Sequence, residues 1–569
     1  MKSALKWIGI IVVVLILLLA IVPFLIPVNR FKPTIEAKAS DALGRKVQLG
    51  NLSLSLLSGS LGIDDLSISD DPKFNSGPFL TAKSVKVGVE MMPLIFSKQV
   101  NVTGVTIEKP QVMLLKDPSG KWNFSSIGGS ASSAPQTSSP SSSATPSSGN
   151  SSESVSVGKL ELKDGQITLG NTNSQKRSVY PDVDLTASDV SVKNNFPIDF
   201  SMGLPGGGKM KIEGKVGPVD QKDAAFTPQN VKLTVNGLNL ASTGFLDPSM
   251  GLGGIADMDA NLVSANGQMA TKGQLKLSKA LFVAGGSPAT VPLNVDFDTK
   301  YDLAKSAGVL NPSTIKIGSA TSKLNGTYKS EGDNFLVDLK VVGDSMPAKD
   351  LEGFLPAIAV NLPQGANLTA GTLSTNLHIT GPTNRLVTDG NIGLFKATLA
   401  GFDLGSKMSA ISALTGLQSS KDLQIEKMTT NVHMAPTGLK ADNFDAVLPA
   451  LGTLVGGGTL DAKNNLDFVM AATLQHGIVG GMSAGSEVGK LTGSSACKDS
   501  GGTKIPFKIE GTTANPKFVP DTAGAAAGLL KAQLGCAGGA ANGIQGITKG
   551  NPADTINQLG GLFGKKKKP

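Results

Sequence analysis

Lys159-Leu160-Glu161-Leu162-Lys163-Asp164-Gly165-Gln166-Ile167-Thr168-Leu169 is the stretch from which the fold is read. Leu160 and Leu162 alternate with Lys159, Glu161 and Lys163, and the alternation resumes at Ile167 and Leu169. A period of two puts the apolar side chains on one face of a strand and the charges on the other. Asp164-Gly165 between two such runs reads as the turn of a two-strand hairpin. Upstream, Val85, Val87 and Val89 alternate with Ser84, Lys86 and Gly88. Val100, Val102, Val105 and Ile107 follow, with Gly104 in the position of a bulge. Downstream, similar runs recur at 231–235, 274–277, 291–297, 314–317, 335–341, 373–379 and 424–434. This is the pattern of a mainly β protein. One strand per 10–12 residues over roughly 440 residues predicts about 40 strands, and at about 4.8 Å apart an open sheet of at most about 190 Å.

Helix signals are few. Residues 33–41 have helical composition ahead of Gly44, residues 406–417 carry apolar side chains every third position, and residues 523–534 are Ala-rich. Before the first strands, residues 7–26 hold no charge and include Trp7, Ile10, Val13, Leu17, Ile21 and Phe24. Twenty helical residues span about 30 Å, the thickness of a bilayer core. A cleaved secretory signal is also basic and then apolar. Here the apolar stretch is longer than usual, and its exit, Pro23-Phe24-Leu25-Ile26-Pro27, lacks small residues at a cleavage position. The reading is an uncleaved transmembrane helix with a short cytoplasmic end, so that everything after about residue 30 is exported.

The rest of the chain divides by composition. Residues 30–127 form a first β domain. Residues 128–154 are a Ser/Pro/Gly-rich linker without a large apolar side chain, so they bury no core and stand as a break in any continuous sheet. Residues 155–370 form a middle β region and 371–522 a C-terminal β domain, and 523–569 is a helical or flexible tail ending in Lys565–Lys568. Of the net charge of +8, four positive charges are those lysines and four more are Lys2, Lys6, Arg30 and Lys32. The remainder is neutral, which excludes a nucleic-acid partner of the usual kind. Leu559, Leu562 and Phe563 beside the lysines read as an interfacial segment or as a solvated end. Cys497 and Cys536 form one disulfide if the compartment is oxidising, or stand as two unrelated thiols.

Candidate chemistry is sparse. His378 and His433 sit in similar strands, Ser374-Thr375-Asn376-Leu377-His378-Ile379 and Thr429-Thr430-Asn431-Val432-His433-Met434, which suggests a repeated β unit. Each His faces away from its apolar neighbours, and neither has further ligands at metal spacing. Gly481-Met482-Ser483-Ala484-Gly485 matches the nucleophile-elbow pattern, but no His follows Ser483 in the chain. Gly206-Gly207-Gly208 and Gly456-Gly457-Gly458 lack the Gly-Lys-Ser/Thr ending of a phosphate loop and read as turns. No catalytic residue, cofactor or metal site is expected, and the protein is expected not to be an enzyme. A one-sided sheet with few covering helices either closes over a dry core or curls into an apolar groove.

Motifs at both ends resemble the AsmA family of bacterial envelope proteins. They are Leu43-Gly44-Arg45-Lys46-Val47, 78–87 with Met92-Pro93-Leu94, 105–112, and Asp117-Pro118-Ser119-Gly120-Lys121-Trp122-Asn123-Phe124. Residues 390–404, 505–512 and 515–521 resemble the family's C-terminal region. The resemblance implies a single-pass inner-membrane protein with its bulk in the periplasm, acting in outer-membrane assembly or lipid homeostasis. It also implies an elongated, curled antiparallel sheet whose groove conducts phospholipid, with envelope proteins of either membrane as further partners. Leu275, Leu339 and Leu377 are then expected to line that groove. The alternative is an exported structural or adhesive β-protein with a closed core.

Overall fold

A computed structural model describes residues 28–55, 59–90, 92–93, 96, 101–127, 156–220, 226–244, 246, 251–332, 334–407, 420–474 and 504–521. Among them the protein is mainly β, with 25 strands in a long, antiparallel-dominated arrangement and few helices. The chain divides into two compact units. The first comprises Met1–Asn361, Leu373–Gly390 and His433–Thr437; the second comprises Leu362–Thr372, Asn391–Val432 and Gly438–Pro569.

The first unit opens with helix α1, Lys32–Leu43. A proline in its first turn pre-sets the backbone, and Gly44 ends it in the left-handed conformation, φ 62°, donating its N–H to the Ser40 carbonyl. Ile35, Ala39 and Leu43, four residues apart, share one helix face and pack on Val47, Leu49 and Leu52. The ladder then runs through β1 (Val47–Gln48), β2 (Leu52–Ser55), β3 (Ser60–Ser69), β4 (Pro78–Val89), β5 (Val102–Glu108) and β6 (Gln111–Lys116). It continues through β7 (Ser156–Asn171), β8 (Arg177–Ser191), β9 (Phe196–Gly203), β10 (Lys209–Val216), β11 (Gln229–Asn239) and β12 (Gly253–Ala265). Then come β13 (Gln268–Leu281), β14 (Leu293–Asp302), β15 (Ala307–Ile317), β16 (Ala320–Glu331) and β17 (Asn334–Pro347).

β5 and β6 pair in parallel with β7, while the other neighbours described here are antiparallel. A parallel connection needs a crossover of a dozen or more residues. The segment between β6 and β7, which contains the linker, supplies that length. The linker therefore does not break the sheet, contrary to its composition-based reading: Ile107 pairs with Leu162 and Val112 with Ile167.

The expected hairpin at Asp164-Gly165 is not a hairpin. β7 runs continuously from Ser156 to Asn171, and its register against β8 shifts between Leu162 and Gly165. Asp164 adopts φ 52°, the bulge conformation that Asp tolerates. Three others in this part of the sheet do the same: Asp65 (φ 45°) on β3, Lys109 at the joint of β5 and β6 (φ 50°) and Asp182 (φ 50°) on β8. Lys109, Asp164 and Asp182 are aligned by the Lys109 N–H bonding the Lys163 carbonyl and by Gly165 pairing with Val183. Bulges bend and twist a strand, so a row of them creases this part of the sheet. Pro110 is tolerated here because the ladder is already interrupted. The bulge expected at Gly104 falls one residue away, where Gly88 pairs with Gly104 but Val89 pairs with Val102. Turn signals inside long strands also explain why about 40 strands were expected where 25 are described.

After β17 come helix α2 (Ala348–Leu351) and a 3-10 segment, Glu352–Ile358. Phe354 and Ala357 of that segment pack on Leu275, Leu277, Phe282 and Leu293. The next strands are β18 (Asn367–Pro382), β19 (Val387–Ala400) and β20 (Asp422–Ala435), with α3 (Leu404–Lys407) before β20. The rest of the helix expected at 406–417, and that at 523–534, lie outside the described residues.

The second unit contains β21 (Gly438–Leu448), β22 (Gly452–Asp461), β23 (Leu466–Leu474), β24 (Lys504–Thr512) and β25 (Asn515–Pro520), paired in sequence order. Gly456-Gly457-Gly458 is not a turn but the middle of β22. A Cβ at Gly456 would meet Met470, and one at Gly458 would meet Phe468. The glycines make room for large side chains of the next strand, which cover the bare backbone. Gly206-Gly207-Gly208 is the expected turn, between β9 and β10, with φ of 90° and 99° at its first two residues. β25 ends the second ladder. The Asp521 N–H bonds the Pro506 carbonyl, which leaves the backbone nitrogens of 516, 518 and 520 facing outward. Two of those three are prolines and carry no donor, so the edge resists further strand addition.

Candidate functional site: an apolar face across the sheet

Cross-strand register builds a continuous surface in the first unit. Leu52, Ile63, Val85, Ile107, Leu162, Leu185, Phe200, Ile212, Leu233, Ala260, Gly273 and Phe297 are successive register partners, one from each of twelve strands. A second row on the same face is Met202, Met210, Val235, Met258, Leu275, Val295 and Ile315. One residue along each strand the opposite face is polar: Lys86, Thr106, Glu161, Thr186, Asp199, Glu213, Lys232, Asn261, Lys272 and Asp298. Alternation within strands and matched register between them thus segregate the whole sheet into two chemistries.

Of the twelve residues in the first row, only Leu52 and Ala260 are buried; the other ten are half-buried. A face sealed by a second layer would bury them all, so this one is incompletely covered. Its N-terminal end is closed by α1, and Phe354 packs beside Leu275 and Leu293. The second unit differs. There Phe507 (1% exposed), Ile505, Met470 and Ala472 are fully buried, as in a closed core.

The three predicted lining residues share the apolar face. Leu275 lies in the second row, and Leu339 lies at the end of a third, through Leu310 and Gly326. Leu377 follows from its neighbour: His378 Nε2 meets Asp338 Oδ1 at 2.8 Å on the polar side, so Leu377 and Leu339 point the other way. All three are half-buried. His433 Nδ1 repeats the arrangement with Asp389 Oδ1 at 2.7 Å. The sequence echo is thus an echo of structure, a strand carrying Asp, a short helix, then a strand carrying His. Both pairs are exposed, and among the described residues no group of three His, Cys, Asp or Glu side chains is placed to hold a metal ion. Residues 1–27, Ser483, Cys497 and Cys536 lie outside the described residues. Among those described, no helix is long and apolar enough to cross a membrane.

Sequence reading missed two features. Gly308 on β15 pairs with both Tyr301 and Tyr328, and the tyrosine rings stack over it at 5.9 Å. Tyr328 also stacks on Phe335 at 5.5 Å, giving this edge of the face an aromatic end. On the polar face, hydrogen bonds from Lys159 and Lys163 hold the Glu161 carboxyl at about 2, below the ordinary 4.5. A depressed folded-state value means that the carboxylate stabilises the fold above about pH 4.5 and loses that effect as pH falls toward 2. Glu161→Gln is expected to flatten the fall in urea midpoint between about pH 5 and about pH 3. An unchanged pH profile would show that the two lysines do not hold the carboxylate in solution.

No match was found among curated proteins or among solved structures. The family model of the AsmA family matches residues 1–310, more than half of the chain and the part that carries α1, the creased strands and most of the apolar rows. The chain belongs to the AsmA family.

Proposed function

We propose that this is a single-pass inner-membrane protein whose periplasmic bulk handles phospholipid in cell envelope biogenesis, conducting acyl chains along the apolar face without catalysis. Family membership and the large sheet fit envelope biogenesis and lipid transport at the level of the family. The observation that carries the finer reading is the twelve-strand apolar row left half-buried on one face of a sheet whose other face is charged. Acyl chains fill such a surface without asking for directional contacts, and flexible Met202, Met210 and Met258 suit a ligand without fixed shape. Residues 7–26 supply the anchor, and proteins of either membrane are the expected partners.

The test is photocrosslinking in cells from probes at Leu275, Leu339 and Leu377, with Lys232 and Lys340 on the polar face as controls. Phospholipid is expected on the first three and not on the controls. No capture from any apolar position, or equal capture from both faces, would overturn the reading. The buried Phe507, Ile505 and Met470 favour a second reading for the second unit alone, a closed β core acting as a structural module.

A further inference from the structure

Three hydrogen bonds order the described N-terminal residues along the first strands. Ser40 Oγ accepts from the Val47 N–H at 2.9 Å, Glu36 Oε1 from Leu49 at 2.7 Å and Asn29 Oδ1 from Leu52 at 2.9 Å. Moving back along the chain from 40 to 36 to 29 therefore moves forward along β1 and β2, from 47 to 49 to 52. The described chain thus begins, at Val28, beside β2, which runs toward Ser55 and the end of the sheet at Gly59. That end also carries the β4–β5 connection, because the Gly59 carbonyl accepts from the Val89 N–H at 2.7 Å.

The neck of this connection is closed by Glu90 and Asn101, through a backbone bond at 2.9 Å and a side-chain bond at 2.9 Å. Beyond it the sequence reads Met91-Met92-Pro93-Leu94-Ile95-Phe96, without a charge. Met92 is 69% exposed and Phe96 78%, the two most exposed large apolar side chains among the described residues. Phe31, at the start of α1, is 60% exposed between Arg30, also exposed, and Lys32, half-buried. The other end of the β3–β4 pair is polar instead, Asp70-Asp71-Pro72-Lys73-Phe74-Asn75-Ser76-Gly77.

We propose that the Gly59 end of the first unit rests on the bilayer that holds residues 7–26, with Met92 and Phe96 inserted at the headgroup–acyl boundary. The occupant is lipid because a 20-residue uncharged segment, residues 7–26, precedes the described chain, which begins at this end. Arg30 and Lys32 beside it suit anionic headgroups. Phe31 and the basic stems occupy the interface, apolar parts down and charges up. The contact holds the first strands at a set angle to the membrane and starts the apolar face at the lipid surface. The inference rests on the membrane-anchor reading.

The experiment uses the full chain with Cys497→Ser and Cys536→Ser, in nanodiscs of phosphatidylethanolamine and phosphatidylglycerol. Single cysteines replace Val13, Ser76, Met92 or Phe96, each carrying an environment-sensitive NBD dye, with and without nitroxide-labelled lipid. Blue-shifted emission and loss of intensity to the nitroxide are expected at 92 and 96 as at 13, and neither at 76. Quenching at 13 but not at 92 and 96 overturns the inference and leaves the anchor standing. Absence of quenching at 13 overturns both. A blue shift at 92 and 96 that nitroxide lipid does not quench assigns the patch to a protein partner and also overturns the inference.

Discussion

Arg45→Ala is expected to destabilise the N-terminal part of the first unit by about 3–5 kcal/mol, the cost of removing one partner of a buried ion pair. Asp70, whose side chain is 0% exposed, faces Arg45 Nη1 at 3.2 Å. Arg45 Nη2 also donates to the Asn123 carbonyl and to Ser126 Oγ, each at 2.7 Å. Asp70 accepts from the Asp71 N–H at 2.7 Å and from Asn123 Nδ2 at 2.9 Å. The amide of Asn123, itself fully buried, spends its remaining capacity on the Met113 carbonyl (2.8 Å) and the Leu115 N–H (3.0 Å). Every member is satisfied, and each ties a different element: the corner after α1, the end of β3, strand β6 and the turn after it. Without Arg45 the carboxylate stays buried with its strongest donor gone. Hydrogen exchange in β3 and β6 is expected to rise by several orders of magnitude while β21–β25 stay protected. An effect below about 1 kcal/mol would mean that water replaces the guanidinium and that the network is not a fixed point of the fold.

That network shows where sequence reading stops. The Leu43–Val47 and Asp117–Phe124 motifs were visible as motifs. Nothing in them says that Arg45 and Asn123, 78 residues apart, close on Asp70. Such contacts depend on strand order, and strand order is not a local property. Local properties were legible: the alternation in 159–163 gave the faces correctly, and Gly44 marked the end of α1. Errors arose where one signal serves two structures. Asp164-Gly165 suits a hairpin turn and a bulge equally, because both need a residue at positive φ. The glycines of 456–458 suit a turn and a covered strand, and the covering side chains Met470 and Phe468 lie on another strand. The apolar face was predicted as a set of strands. Its continuity came only with register, since one slipped residue in any of twelve strands would interrupt it.

Register also makes the difference between the two units measurable. Phe507→Ala is expected to cost about 3–5 kcal/mol, because Phe507 is fully buried, lies in register with Met470 and meets the tilted ring of Phe518 at 6.3 Å. Leu233→Ala removes a side chain of the first unit's apolar row, flanked in register by Ile212 and Ala260. It is half-buried, so much of its apolar surface already meets whatever fills the face, and the expected cost is roughly 1 kcal/mol. Hydrogen exchange of β24 in the first variant and β11 in the second, in nanodiscs, reads both on one scale. The contrast separates two kinds of apolar surface that sequence composition makes identical. A packed core loses dispersion contacts and gains a cavity when a side chain is shortened. A surface filled by mobile acyl chains loses transfer energy alone, because the filling flows into the gap. Equal costs at the two positions would show the first unit's face to be a dry, closed core, and the transport reading would fall with it.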